Sequence, residues 1–107
     1  MTFRVQLTAG AVRDLEEIAS YIAGHSSLAG AGRLLDGILD IVSALEAMPE
    51  RGRMAPELVD YGFSAIRERF FKPYRILYRI DGQDVRILLI ADGRRDLREL
   101  LLRRLLD

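Results

Sequence analysis

Cysteine is absent from the 107-residue sequence, and His25 is its only histidine. Without thiols there is no disulfide framework and no thiolate metal site, and one imidazole cannot complete a structural zinc site. The same shortage removes the familiar nucleophile-and-base pairs, because the lone histidine falls in a short link between two helical patterns. Aspartate and glutamate are scattered without metal-loop spacing, and no glycine-rich phosphate loop occurs. No cofactor and no metal are therefore expected. No apolar run approaches the ~18 residues of a membrane span, and the N-terminus enters directly into an alternating pattern instead of a secretion signal. Internal repeats and low-complexity tracts are missing too. These absences leave one soluble domain over residues 1–107, expected in the cytoplasm and without a membrane partner.

Charge is present in quantity but segregated. Lysine and arginine number 16 against 16 aspartates and glutamates, a net of zero. Residues 1–50 hold three basic side chains (Arg4, Arg13, Arg33) against seven acidic, and residues 51–107 hold thirteen against nine. An acidic half is thus joined to a basic half. All the cations except Lys72 are arginine, the side chain suited to bidentate pairing with phosphate or carboxylate.

Phe3–Leu7 alternates as a short strand. Thr8 can cap a helix in which Val12, Leu15, Ile18, Ala19 and Ile22 recur at three and four, with Gly24 near its end. After the link His25-Ser26-Ser27, a second helix is predicted from Leu28 to Met48, striped by Ala31, Leu34, Leu35, Ile38, Ile41, Val42, Leu45 and Met48. Gly30, Gly32 and Gly37 weaken it, or admit a close neighbour. Pro49 ends the helix, and Glu50–Gly62, with its proline, glycines and charges, reads as a surface loop. Ile66–Phe71 is a strand with Arg67, Arg69 and Phe71 on one face and Ile66, Glu68 and Phe70 on the other. Asp96-Leu97-Arg98-Glu99 fits a capping box for a helix containing six leucines between Leu97 and Leu106. That is more than one core-facing stripe needs, and the surplus suits either a core helix or a surface reserved for a partner. The predicted class is α+β, with helices on one face of an antiparallel sheet.

The stretch Phe70–Arg95 organises the rest. Tyr74, Ile76, Tyr78 and Ile80 alternate with Arg75, Leu77 and Arg79, the period of a half-buried strand. Asp81-Gly82-Gln83-Asp84 supplies the turn. Val85–Ala91, apolar apart from Arg86, reads as a strand buried on most of both faces. Arg75 and Arg79 share a face, and Arg94 and Arg95 follow the second strand. Together with Arg67, Arg69 and Lys72 they suggest a cationic sheet surface interleaved with Tyr74 and Tyr78. Such a surface could hold a nucleic-acid backbone, stabilise charge on a phosphate during RNA cleavage, bind an acidic protein segment, or simply be a solvated face.

The helix pattern Ala11, Asp14, Leu15, Ile18, Tyr21, Ile22, the segment Met48–Arg53 (M-P-E-R-G-R), the hairpin P-Y-R-I-x-Y-R-I and the closing D-G-R-R-D-L resemble the RelE/ParE superfamily of bacterial toxin–antitoxin systems. The resemblance spans nearly the whole chain. It implies an N-terminal strand and helical hairpin packed on an antiparallel sheet, a C-terminal helix, and a cytoplasmic toxin neutralised by a cognate antitoxin in a hetero-oligomer. RelE-like members cut mRNA on the ribosome with basic side chains and a C-terminal tyrosine or histidine; ParE-like members poison DNA gyrase. Here Asp92 stands where many relatives carry histidine, and neither tyrosine nor histidine occurs after Tyr78. An RNA cut needs a group to take the 2′-hydroxyl proton, and arginine, with a pKa above ~12, is a poor one. The expectation is therefore a ParE-like gyrase inhibitor with no catalytic set, in which Arg75, Arg79, Arg94, Arg95, Leu101 and Leu105 meet target or antitoxin. The alternative is a ribosome-dependent mRNA endonuclease with Arg67, Arg69, Lys72, Arg75 and Arg79 on the phosphate and Asp92 as base.

Overall fold

A computed structural model describes residues 2–59 and 65–106, apart from the side chains of Glu57 and Val59. The chain runs β1 (Arg4–Leu7), α1 (Ala9–His25), α2 (Leu28–Ala44), a 3-10 turn (Pro49–Arg51), β2 (Arg53–Met54), α3 (Pro56–Val59), β3 (Ile66–Phe71), β4 (Tyr74–Asp81), β5 (Asp84–Asp92) and α4 (Leu97–Leu106). The five strands form one sheet in the order β1-β5-β4-β3-β2.

The local signals act as their chemistry dictates. The Thr8 hydroxyl accepts from the Ala11 amide at 3.3 Å and donates to the Ile87 carbonyl at 2.8 Å, so the cap of α1 also ties it to the sheet. Ser27 caps α2 through the Gly30 amide at 2.9 Å, and Asp96 caps α4 through the Glu99 amide at 3.1 Å. Glu99 does not return the capping bond but pairs with Arg103 one turn on. Gly82 takes φ +60° in the β4–β5 turn, a conformation that costs a residue with a β-carbon. Gly37 on α2 lies against the Phe71 ring, where a β-carbon would collide. The close approach is thus to the sheet.

The expected α+β chain of strand, helical hairpin, sheet and C-terminal helix is the one observed, with two differences. The sheet is mixed, because β1 runs parallel to β5, with Val5 beside Val85 and Leu7 beside Ile87. The β3–β4–β5 meander is joined by tight turns and is antiparallel of necessity, whereas β1 is separated from the rest by two helices and no turn sets its direction. The helices also cover both faces. Leu15, Leu34, Ile38, Val42 and Leu45 of the hairpin segment pack on Ile76, Tyr78, Val85, Ile87 and Ile90. Leu97 and Leu101 of α4, with Ala55 and Leu58, pack on Leu77, Leu89 and Ala91 of the other face. A bulge lies where Leu77 pairs with Leu89 but Tyr78 pairs with Ile87. It lets Leu88 and Leu89 both join the α4 side, which accounts for the continuous apolar run from Ile87 to Ala91.

The segment predicted as a surface loop contains regular structure and contributes to the core. It holds the 3-10 turn, β2 and α3, and Ala55 and Leu58 are fully buried. Its portion at 60–64, which includes Gly62, lies outside the described residues. The second helix stops at Ala44, earlier than predicted, and Met48 is exposed.

Candidate functional site

Residues expected to form one cationic surface divide between the two faces of the sheet. Arg67 and Arg69 follow Phe71 to the hairpin side, and Arg75 and Arg79 follow Leu77 to the α4 side. Alternation along each strand holds. What it could not show is that Arg67 pairs with Tyr78 while Arg75 pairs with Phe70, which sets the two arginine pairs back to back. Lys72 is exposed in the β3–β4 turn.

Arg75 is also not a surface group. Its residue exposure is 8%, and beside it Glu68 is 1% exposed. Arg75 Nε donates to Glu68 Oε2 at 3.0 Å, and its Nη2 donates to the same oxygen. Arg53 Nε donates to Glu68 Oε1 at 2.8 Å. The guanidinium carbons of Arg53 and Arg75 lie 5.1 and 5.8 Å from the centre of the Phe70 ring, which keeps both cations over an aromatic partner. Charges this deep persist only when paired and hydrogen-bonded. In the sequence Glu68 stands as a lone carboxylate between Ile66 and Phe70 on one face of a strand.

Arg67 donates to the carbonyls of Glu50 (3.2 Å) and Gly52 (2.9 Å), holding the 3-10 turn to β3. Tyr78 completes that attachment: its buried hydroxyl donates to the Pro49 carbonyl at 2.5 Å and accepts from the Gly52 amide at 3.0 Å. Burial, the largest influence, pushes the Tyr78 phenol above its usual range. Arg79 is half exposed and pairs with Asp81 at 3.0 Å.

At the far end of β5, Arg94 wraps back onto Asp92, with Nη2–Oδ2 at 2.7 Å and Nε–Oδ1 at 3.0 Å, while the Arg94 amide donates to Oδ1 at 2.9 Å. These bonds from Arg94 hold the Asp92 carboxyl down at about 2. Asp92 is therefore ionised at neutral pH but a very weak base. It lines a groove of about 420 Å³ with Tyr21, Tyr74, Arg94 and Arg95. The Tyr74 phenol is raised by desolvation first and by Asp92 second. The Arg95 side chain is exposed and makes no ion pair among the described residues.

Of the two leucines assigned to binding, Leu101 is fully buried against the sheet and belongs to this chain's core, so it presents no contact surface. Leu105, with Leu102 and Leu106, is exposed. Arg104 on the same helix reaches across to α1. It grips Asp14 through both terminal nitrogens at 3.0 and 2.8 Å and donates to the Leu88 carbonyl at 2.7 Å. Asp14 also accepts from the Ile90 amide at 2.9 Å. This tie between α1, the β5 bulge and α4 joins residues 90 apart, and only the lone acid on the inner part of α1 hinted at it. Among the described residues no cluster of three or more metal-ligating side chains occurs, and no helix is long and apolar enough to cross a membrane.

A five-stranded mixed sheet between a helical hairpin and a short C-terminal helix defines the RelE/ParE toxin fold. A chain of the chromosomal ParDE toxin–antitoxin system from P. aeruginosa superposes with a TM-score of 0.72 at 20% identity, covering 85% of this chain and 96% of that one. The toxin–antitoxin complex RelBE2 from Mycobacterium tuberculosis matches with a TM-score of 0.61 at 24% identity, over 86% and 99% of the two chains. Sequence narrows the class. Residues 5–97 match the family described as the ParE toxin of the type II toxin-antitoxin system parDE. Toxin ParE3 of Caulobacter vibrioides is 32% identical over 84 residues, 78% of this chain and 80% of that protein. The chain belongs to the ParE family of type II toxins.

Proposed function

We propose that this ParE-family toxin arrests growth in the cytoplasm by binding DNA gyrase, not by cutting RNA, and that a cognate antitoxin neutralises it in a hetero-oligomer. The observation that carries the target is the state of Asp92. It is the one carboxylate in the position a ribonuclease of this fold would use for its base, and Arg94 holds it at about 2, too weak to take a proton from a 2′-hydroxyl. Arg75, the central cation of the ribonuclease reading, is occupied by Glu68 in the interior. Binding a large target needs neither a free base nor a free Arg75, and it accords with ParE family membership.

The assay is direct. Purified protein added to gyrase and relaxed plasmid should abolish supercoiling, and linear DNA should accumulate after protein is removed. The same preparation added to translating ribosomes should leave transcripts whole. Codon-specific cuts in those transcripts, with gyrase unaffected, would reverse the assignment.

The two solved neighbours are described as a toxin–antitoxin system and a toxin–antitoxin complex, which supports an antitoxin partner here. The exposed leucines of α4 are apolar anchors for a segment that folds on binding. Leu105→Asp should weaken antitoxin binding at least tenfold while leaving the circular dichroism spectrum and melting midpoint unchanged. Binding equal to wild type would return Leu105 to the account of α4 packing alone.

A further inference from the structure

We infer that the groove at the β2–β3 edge is a nucleic-acid phosphate site, which would let the toxin grip DNA held by its target. The inference rests on the gyrase reading for its biological setting and on the groove alone for its chemistry.

The groove encloses about 340 Å³ and is lined by Arg51, Gly52, Arg53, Glu68, Arg69 and Phe70. A sheet edge is where the two faces meet. Arg69 from the hairpin face and Arg53 and Phe70 from the α4 face therefore border the same space. Among the described residues that line it the one acid, Glu68, is fully buried and already spent on Arg53 and Arg75, two cations for one carboxylate. Neither Arg51 nor Arg69 has an ion-pair partner among the described residues. The groove thus carries excess positive charge on a chain whose net charge is zero. Arg53 is held in place by Glu68 beneath it and the Phe70 ring beside it, so little freedom is lost when an anion arrives.

The shape of the edge favours a phosphate backbone over an acidic peptide. A peptide reaching a sheet edge gains affinity by adding a strand. Here β2 already covers Glu68 and Arg67, and only 69–71 of β3 continue past it, too short a stretch for stable pairing. What remains is charge without a backbone register. A nucleic-acid backbone, with a charge every ~1.7 Å of duplex axis, meets such cations without placing residues individually. Arginine is the cation suited to that contact.

The test uses the intact purified protein and a fluorescein-labelled 30-base-pair duplex, followed by anisotropy between 50 and 200 mM KCl. Three phosphate contacts predict a log–log salt slope of about −2.7, roughly a 40-fold loss of affinity over that range. Arg51→Glu with Arg69→Glu should weaken binding more than tenfold at 50 mM KCl. Arg13→Glu with Arg33→Glu, a control of equal charge change on the exposed hairpin, should weaken it less than threefold. Equal losses in both variants would make the binding a matter of net charge and overturn the site. Labelled polyglutamate bound in preference to DNA would overturn the choice of ligand, and absence of DNA binding by the wild type would overturn the proposal. Because gyrase is absent from this assay, failure here leaves the gyrase reading standing, and failure of gyrase inhibition leaves this result readable.

Discussion

Two arginine–carboxylate pairs stand at the same end of the sheet and do opposite things. Arg75 and Glu68 are nearly sealed, with side chains 10% and 0% exposed, whereas Arg94 and Asp92 are 85% and 23% exposed. The first pair lies beside the Phe70 ring and carries the weight of desolvation, which its hydrogen bonds and the second cation, Arg53, offset. The second is solvated, costs little to form, and adds little to stability. Its effect is chemical: it fixes the ionisation of Asp92. Identical functional groups thus serve as internal structure in one place and as an electrostatic setting in the other, and depth alone separates them.

The largest expected effect comes from breaking the deep pair. Glu68→Ala deprives a buried guanidinium of its carboxylate and should cost about 3–5 kcal/mol in urea unfolding. Replacing both partners by leucine should recover much of that loss, since well-packed apolar groups often match a buried ion pair. A Glu68→Ala protein as stable as wild type would erase the contrast between the two pairs. Leu101→Ala is next, at about 2–4 kcal/mol for a fully buried leucine. Tyr78→Phe follows, at about 1–2 kcal/mol, because it leaves the buried Gly52 amide and Pro49 carbonyl without their phenol. Arg79→Gln, on the same strand face as Arg75 but half exposed, should shift stability by less than about 0.5 kcal/mol. A loss as large as that at Glu68 would mean Arg79 is structural too.

Much of this architecture is legible in the residues, and the limits have physical causes. Caps and turns are local, so Thr8, Asp96 and Gly82 declare themselves. Alternation puts Arg75 and Arg79 on one face correctly but carries no information about depth. Arg75 is sealed because Glu68 lies across the ladder and Arg79 is open because Asp81 lies at the hairpin tip. The Leu88 bulge is hidden inside an apolar run where either phase fits. The parallel seating of β1, the Asp14–Arg104 tie and the packing of Ala55 and Leu58 are long-range or occur in a segment rich in loop-forming residues. Of the residues expected to bind, Arg94, Arg95 and Leu105 are exposed. Arg75 and Leu101 are buried, because strand alternation carries no depth and a leucine-rich helix does not say which of its leucines faces the sheet. Arg51 and Arg53 belong to the M-P-E-R-G-R segment, but nothing local to it shows that they border one groove with Arg69.

The smallest expected effect is the sharpest on the shallow pair. Arg94→Gln removes the cation that holds Asp92 at about 2 and should let its carboxyl rise toward the ordinary 3.8. The sign follows from the depressed folded value. Whatever stability Asp92 contributes is present above about pH 4 and is lost as pH falls through 3.8 toward 2. The variant should therefore match wild type in stability at pH 7 to within the scatter of an exposed pair, and its acid unfolding should lose steepness between pH 4 and 2. Carboxyl carbon chemical shifts of Asp92 titrated over that range report the change at the atom itself. If the midpoint stays near 2 without Arg94, the backbone amide of residue 94 is the holder, because it donates to the same oxygen. Asp92 would then be a weak base whichever side chain stands at position 94.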